Sequence, residues 1–167
     1  MIFPEIKLTR RQANLKAFQE ELKALPSADL TPENISTMTK ELLGIFLGPE
    51  HTVHKVAIKR ALGHIKFNSS GKLIDEAQTY RKINVELGKM KKHDRMLLSA
   101  GMHHQGYFGA ESIGQVAGTV LAGRELDSRK KKMLFNVITS TASAFMEAHK
   151  AAGAKYLTSL REVKYIE

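Results

Sequence analysis

Basic side chains, histidines and a scatter of carboxylates are the groups in this chain that could do chemistry, and their spacing decides what kind. Lys55, Lys59 and Arg60 fall within one or two helical turns, followed by Arg81 and Lys82, then Lys89, Lys91, Lys92 and Arg95, then the run from Arg129 to Lys132. Between residues 51 and 95 there are 11 basic and 4 acidic residues, and the 167-residue chain carries a net charge of +9. Lys and Arg neutralise phosphates and release their counterions, so clusters of this kind predict salt-sensitive binding to a polyanion. Few aromatics stand close enough to stack bases, so no sequence readout is expected. Anionic lipid headgroups satisfy the same chemistry, at about 1 kcal/mol per basic residue near the membrane. The plainer reading of such a run, strongest for Arg129 to Lys132, is a solvated helical turn.

The seven histidines raise the question of a metal. His51 and His54 stand three residues apart, a spacing that can place two imidazoles on one helix face, but no third ligand follows at a compatible interval. His103 and His104 are adjacent, and adjacent side chains on a helix diverge. No metal site is expected. Titration is the other reading: protonating every histidine would take the net charge from +9 to +16, which makes His51, His54, His103 and His104 candidate sensors of acid between like-charged copies. Asp75-Glu76 sits at a helix start, where the macrodipole already accounts for it. No phosphate loop and no nucleophile elbow occur, and Gly106-Tyr107-Phe108-Gly109 matches no catalytic pattern. With no cysteine, thiolate ligands, disulfides and a cysteine nucleophile are excluded. The chain is expected to be no enzyme, to need no cofactor and to take no small-molecule substrate.

These groups must be held by helices. Hydrophobic content of 43% with only four prolines supports a buried core, and apolar residues recur at helical spacing throughout. Thr9 and Gln12 read as a capping box for a helix carrying Leu15, Phe18, Leu22 and Leu25 and ended by Pro26. Thr31-Pro32 starts a second, with Ile35, Met38, Leu42, Ile45 and Phe46 inward, closed by Gly48-Pro49. A third is expected from about Thr52 to Phe67, a fourth from Leu73 to Gly88, and a fifth from Met90 to Ala100, with a turn over residues 101–109. In the next, Gly114, Gly118 and Ala122 repeat at spacing four, which lets a neighbouring helix approach closely. Asp127-Ser128 caps a long helix expected to stop at Gly153, with a last helical stretch beyond. The fold class is therefore all-α. Asn68-Ser69-Ser70-Gly71 is the strongest loop signal and predicts a boundary between two helical bundles, residues 1–68 and 69–167. No run of about 18 apolar residues is present and the first residues lack the basic-then-apolar order of a signal peptide.

The order of features from Met38 to Phe108 is more specific. Thr39-Lys40-Glu41-Leu42-Leu43-Gly44-Ile45-Phe46, Pro49, Lys59-Arg60-Ala61-Leu62, Asp75-Glu76-Ala77, Tyr80-Arg81-Lys82 and Leu98-Ser99-Ala100-Gly101 occur in an order and at intervals that resemble the orthomyxovirus matrix proteins. The resemblance covers about seventy residues; elsewhere only the helix pattern is compatible. It implies two packed bundles joined by a short linker, in the N-terminal portion of a longer protein. It also implies a layer under a viral envelope that polymerises, contacts the anionic inner leaflet of the host membrane and meets viral ribonucleoprotein or RNA. The location expected from it is the virion beneath the envelope, the cytoplasmic face of the host membrane and the host nucleus. The family's basic helix maps onto Tyr80 to Val85, where Asn84 and Val85 stand in place of further basic residues of the influenza A proteins. Together with the missing cysteines of the family's suggested zinc motif, this points to a thogotovirus-like or isavirus-like genus. The rival reading, from another class, is a helical module that binds nucleic acid without sequence preference.

Overall fold

The computed structural model describes the backbone of residues 10–47, 52–101 and 107–166, and side chains at residues 12–45, 56–96, 98 and 110–148. Seven α-helices occur among them: α1 (Arg10–Ala24), α2 (Pro32–Leu47), α3 (Thr52–Leu62), α4 (Glu76–Gly88), α5 (Lys92–Gly101), α6 (Tyr107–Gly123) and α7 (Ser128–Ile166). The all-α class is as the apolar periodicity predicts. Thr31 caps α2 as expected, its hydroxyl accepting the Asn34 N–H at 3.2 Å, and Pro32 takes the first helical position. Asp127 does the same for α7, accepting the Arg129 N–H at 3.0 Å. Thr9, the expected cap of α1, and Gly48-Pro49 lie outside the described residues.

The long helix α7 is the element on which the others assemble: α2, α4, α5 and α6 all pack along it, α1 lies on α6 and α2, and α3 on α4 and α2. Leu134, Val137, Ile138, Phe145 and Ala148 of α7 are fully buried and join Leu22, Ile35, Leu43, Ile58, Ile83 and Ile113 from the other helices in one core. Burying a Leu, Ile or Phe side chain contributes about 1.5–3 kcal/mol each, so this single cluster dominates the stability. At the α2–α7 contact the core turns polar: the Ser36 and Thr141 hydroxyls meet at 3.4 Å, both buried. The Thr141 hydroxyl also donates to the Val137 carbonyl at 2.7 Å, so this polar pair is not left unsatisfied. On α6 the small-residue stripe does face α7, but loosely. A methyl added at Gly118 would lie 3.5 Å from the Phe135 ring and one at Gly114 3.9 Å from Thr139, which is ordinary contact.

The expected boundary at 68–71 is a turn but not a hinge. α3 stops at Leu62, five residues earlier than predicted, and Ile65 turns into the core. The chain then forms a tight hairpin, with Phe67 paired to Leu73, the Ile74 N–H donating to the Lys66 carbonyl at 2.9 Å and the Gly71 N–H to the Asn68 carbonyl at 3.0 Å. Asn68 Oδ1 accepts the N–H groups of Ser70 and Lys72 at 2.9 and 3.0 Å, closing the turn from inside. Asn136 of α7 donates to the Gly71 carbonyl at 2.8 Å, which ties the turn to the central helix. A division into 1–68 and 69–167 would cut through the shared core, because α2 packs on α7 and α3 on α4 across it. Gly, Ser and Asn at a loop report its backbone conformation, which linkers and anchored hairpins share.

Three further boundaries differ from expectation, the first being α6, which begins at Tyr107, inside the stretch expected to be a turn. α4 begins at Glu76 because Asp75 adopts a left-handed conformation, φ +52°, which a short polar side chain tolerates at a helix entrance. Gly153 does not end α7, which continues to Ile166; one interior glycine costs only about 1 kcal/mol against the helix formers on either side.

Candidate anionic-surface interface

α4 buries Thr79, Ile83 and Leu87 and so turns the opposite stripe outward. That stripe carries Arg81, Lys82, Val85 and Lys89, all exposed, with Arg81, Val85 and Lys89 in a row at spacing four. Val85 is 63% exposed, more than any other large hydrophobic among the described residues, and cations stand on both sides of it along the helix. Lys91 and Lys92, at the turn into α5, are exposed as well. Beside this stripe the turn after α3 contributes His64 to an open groove of about 440 Å³ that Gln78, Arg81, Lys82, Val85 and Glu86 also line.

Glu86 is the acid of this face and is already engaged. The Lys89 ammonium approaches both its oxygens at 3.3 Å and His64 Nε2 approaches Oε1 at 3.4 Å. These hydrogen bonds, Lys89 first and His64 second, hold the Glu86 carboxyl below its ordinary range. Lys89 is thereby partly neutralised, whereas Arg81, Lys82, Lys91 and Lys92 meet no acid partner among the described residues. Tyr80, at the margin, is pushed up to about 12 by burial, by its 2.8 Å hydrogen bond to Glu76 and by the nearby carboxylates of Glu76 and Glu147.

Among the other expected contact residues, Lys59 and Arg60 are exposed on α3. The side chains of Lys55 and His54, and His51, His103 and His104 altogether, lie outside the described residues, so the expected acid sensors stay outside this geometry. Arg95 requires correction. It is 2% exposed, on the inward face of α5, and its Nη2 donates to Asn84 Oδ1 at 3.4 Å, while Asn84 Nδ2 donates to the Ala148 carbonyl of α7 at 2.8 Å. Arg95 thus belongs to the α4–α5–α7 junction and cannot reach a surface ligand. Its place among Lys89, Lys91 and Lys92 in the sequence misled because successive helical residues turn by about 100°. Asn84, which interrupts the basic motif, is the residue that receives it.

The basic run at the start of α7 also has a structural use. Lys130 donates to the Ser27 carbonyl at 2.9 Å and Lys131 to the Ala122 carbonyl at 3.2 Å, near the ends of α1 and α6. Arg124, which no pattern in the sequence singled out, goes further. One of its nitrogens reaches the carbonyls of Leu22, Lys23 and Leu25 at 3.0, 3.2 and 2.6 Å, and the other lies 3.5 Å from Ser27 Oγ. A guanidinium placed there supplies the donors that the last carbonyls of α1 lack and opposes the negative end of the helix dipole. Arg124→Ala is expected to lower stability by about 2 kcal/mol in urea denaturation. Arg124→Lys should recover only part of this, because one ammonium cannot reproduce the planar fork.

No family model matches the chain, and neither a curated protein nor a solved structure matches it.

Proposed function

We propose that this chain is a matrix-type structural protein that lies on an anionic membrane leaflet through the outer face of α4 and the α4–α5 turn, and polymerises side by side. The observation that carries the reading is Val85, an exposed aliphatic residue bracketed by Arg81, Lys82 and Lys89. Cations meet lipid phosphates while an aliphatic side chain enters the headgroup boundary, and neither contact alone would hold a monomer firmly. A polymeric layer turns such weak contacts into stable attachment by avidity. The order of motifs from Thr39 to Gly101 supports the same reading, with viral ribonucleoprotein as the partner on the opposite side of the layer.

Co-flotation with liposomes, neutral against phosphatidylserine-rich, followed by cryo-electron microscopy of the floated material, tests it. A regular protein layer on the anionic liposomes alone is the expected result. Absence of flotation, together with tight RNA binding that weakens steeply with salt, would replace the proposal with a nucleic-acid-binding module.

A further inference from the structure

A second cationic site lies away from the outer face of α4, between α2 and the 65–74 hairpin. A groove of about 390 Å³ opens there, within the size range of small-ligand sites. Lys40 of α2 and Lys66 of the hairpin line it, with Glu33 as its acid and the hydroxyl-bearing Ser36 and Thr37 on the α2 side. Its remaining wall is apolar: Ile65 is fully buried, Phe67 half-buried, and Ile74 leaves 48% of its surface in water. Two ammonium groups against one carboxylate leave this groove with an excess of one positive charge. Holding like charges close together in a partly desolvated place is unfavourable until an anion joins them. The groove feels that cost: burial first and the neighbouring Lys66 ammonium second push Lys40 below its ordinary value, with Glu33 acting the other way.

We propose that this groove binds a singly charged oxyanion carrying an apolar substituent, Lys40 and Lys66 closing on the oxyanion and Phe67 and Ile74 on the substituent. The excess of one positive charge matches a phosphodiester or a carboxylate, and ammonium groups bind either as point charges. An uncovered isoleucine beside the cations favours an amphiphile over a bare inorganic ion. Two sources offer this chemistry, a soluble amphiphilic anion and the phosphodiester of a bilayer lipid. The site does not depend on the face of α4, so it can fail while the matrix reading stands, and the reverse.

The test is titration of the whole chain with dibutyl phosphate, followed by NMR of lysine side chains labelled at Cε. The signals of Lys40 and Lys66 should shift saturably, and the titration midpoint of Lys40 should rise once its charge has a partner. Inorganic phosphate should bind at least about tenfold more weakly, because burying even two methylenes is worth more than that factor. Lys66→Glu, at an exposed position that leaves the core intact, should weaken dibutyl phosphate at least about tenfold, and Lys40→Gln should do the same. Two outcomes would overturn the proposal: no saturable shift at Lys40 and Lys66, or unchanged affinity in Lys66→Glu. If dibutyl phosphate binds, flotation on phosphatidylglycerol vesicles separates the sources. Competition by dibutyl phosphate and weakened flotation of Lys66→Gln assign a bilayer lipid, and unaffected flotation assigns a soluble anion.

Discussion

Replacing Gly71 by alanine is expected to destabilise the protein by about 3 kcal/mol, a fall of roughly 10 °C in Tm, although the change is a single methyl group in a hairpin. Two causes add. At φ +77° an L side chain meets its own backbone, at about 1 kcal/mol. The new Cβ would also lie 2.5 Å from Met133 Cγ, 3.1 Å from its sulfur and 3.2 Å from Val137 Cγ2, so α7 would have to give way. Met133 Cγ sits near the root of its side chain, and moving it disturbs the neighbouring turn of the central helix. On a Met133→Ala background the cost of Gly71→Ala should shrink toward the backbone part, about 1 kcal/mol. Equal costs on both backgrounds, measured by urea denaturation, would show that the steric contact is not the cause.

The second large effect concerns binding. Neutralising Arg81, Lys82 and Lys89 together with glutamine should weaken association with phosphatidylserine-rich vesicles about a hundredfold, at about 1 kcal/mol for each basic residue. Folding should change little, since all three side chains are exposed and the Lys89–Glu86 pair is a surface one, worth less than about 1 kcal/mol. Roughly 1 M salt, where the screening length shrinks to about 3 Å, should abolish binding of the unaltered chain. Arg95→Gln supplies the contrast. It lies in the junction with Asn84 and Ala148, so it should lower Tm and leave the vesicle affinity of the folded protein unchanged. Equal vesicle binding by the triple variant and the unaltered chain would remove α4 from the interface.

Local rules were legible in the sequence and long-range ones were not. Thr31-Pro32 and Asp127-Ser128 cap their helices as read, because capping depends on residues within one turn. Ile35 and Leu42 of the α2 stripe are buried as read for the same reason, with Met38 and Ile45 half-buried beside them. Arg124 and Arg95 were illegible because their partners, the carbonyls of Leu22 and Leu25 in one case and Asn84 in the other, are brought near only by packing. The groove at Lys40 and Lys66 is no more legible: 26 residues separate the two amines, and neither belongs to a cluster. At Asn68 to Gly71 the loop is legible but its mechanical meaning is not, since nothing local announces that Asn136 will hold it.

The position of α7 in the chain has a consequence during synthesis. α2 packs its buried face on α7, and Ser36 finds Thr141 only 105 residues later. At translation rates of about 5–20 residues per second, the apolar stripe of α2 waits roughly 5–20 s on the ribosome for its partner. Stable folding should therefore follow release of α7, and nascent chains stalled before Ser128 should be held by chaperones and open to protease.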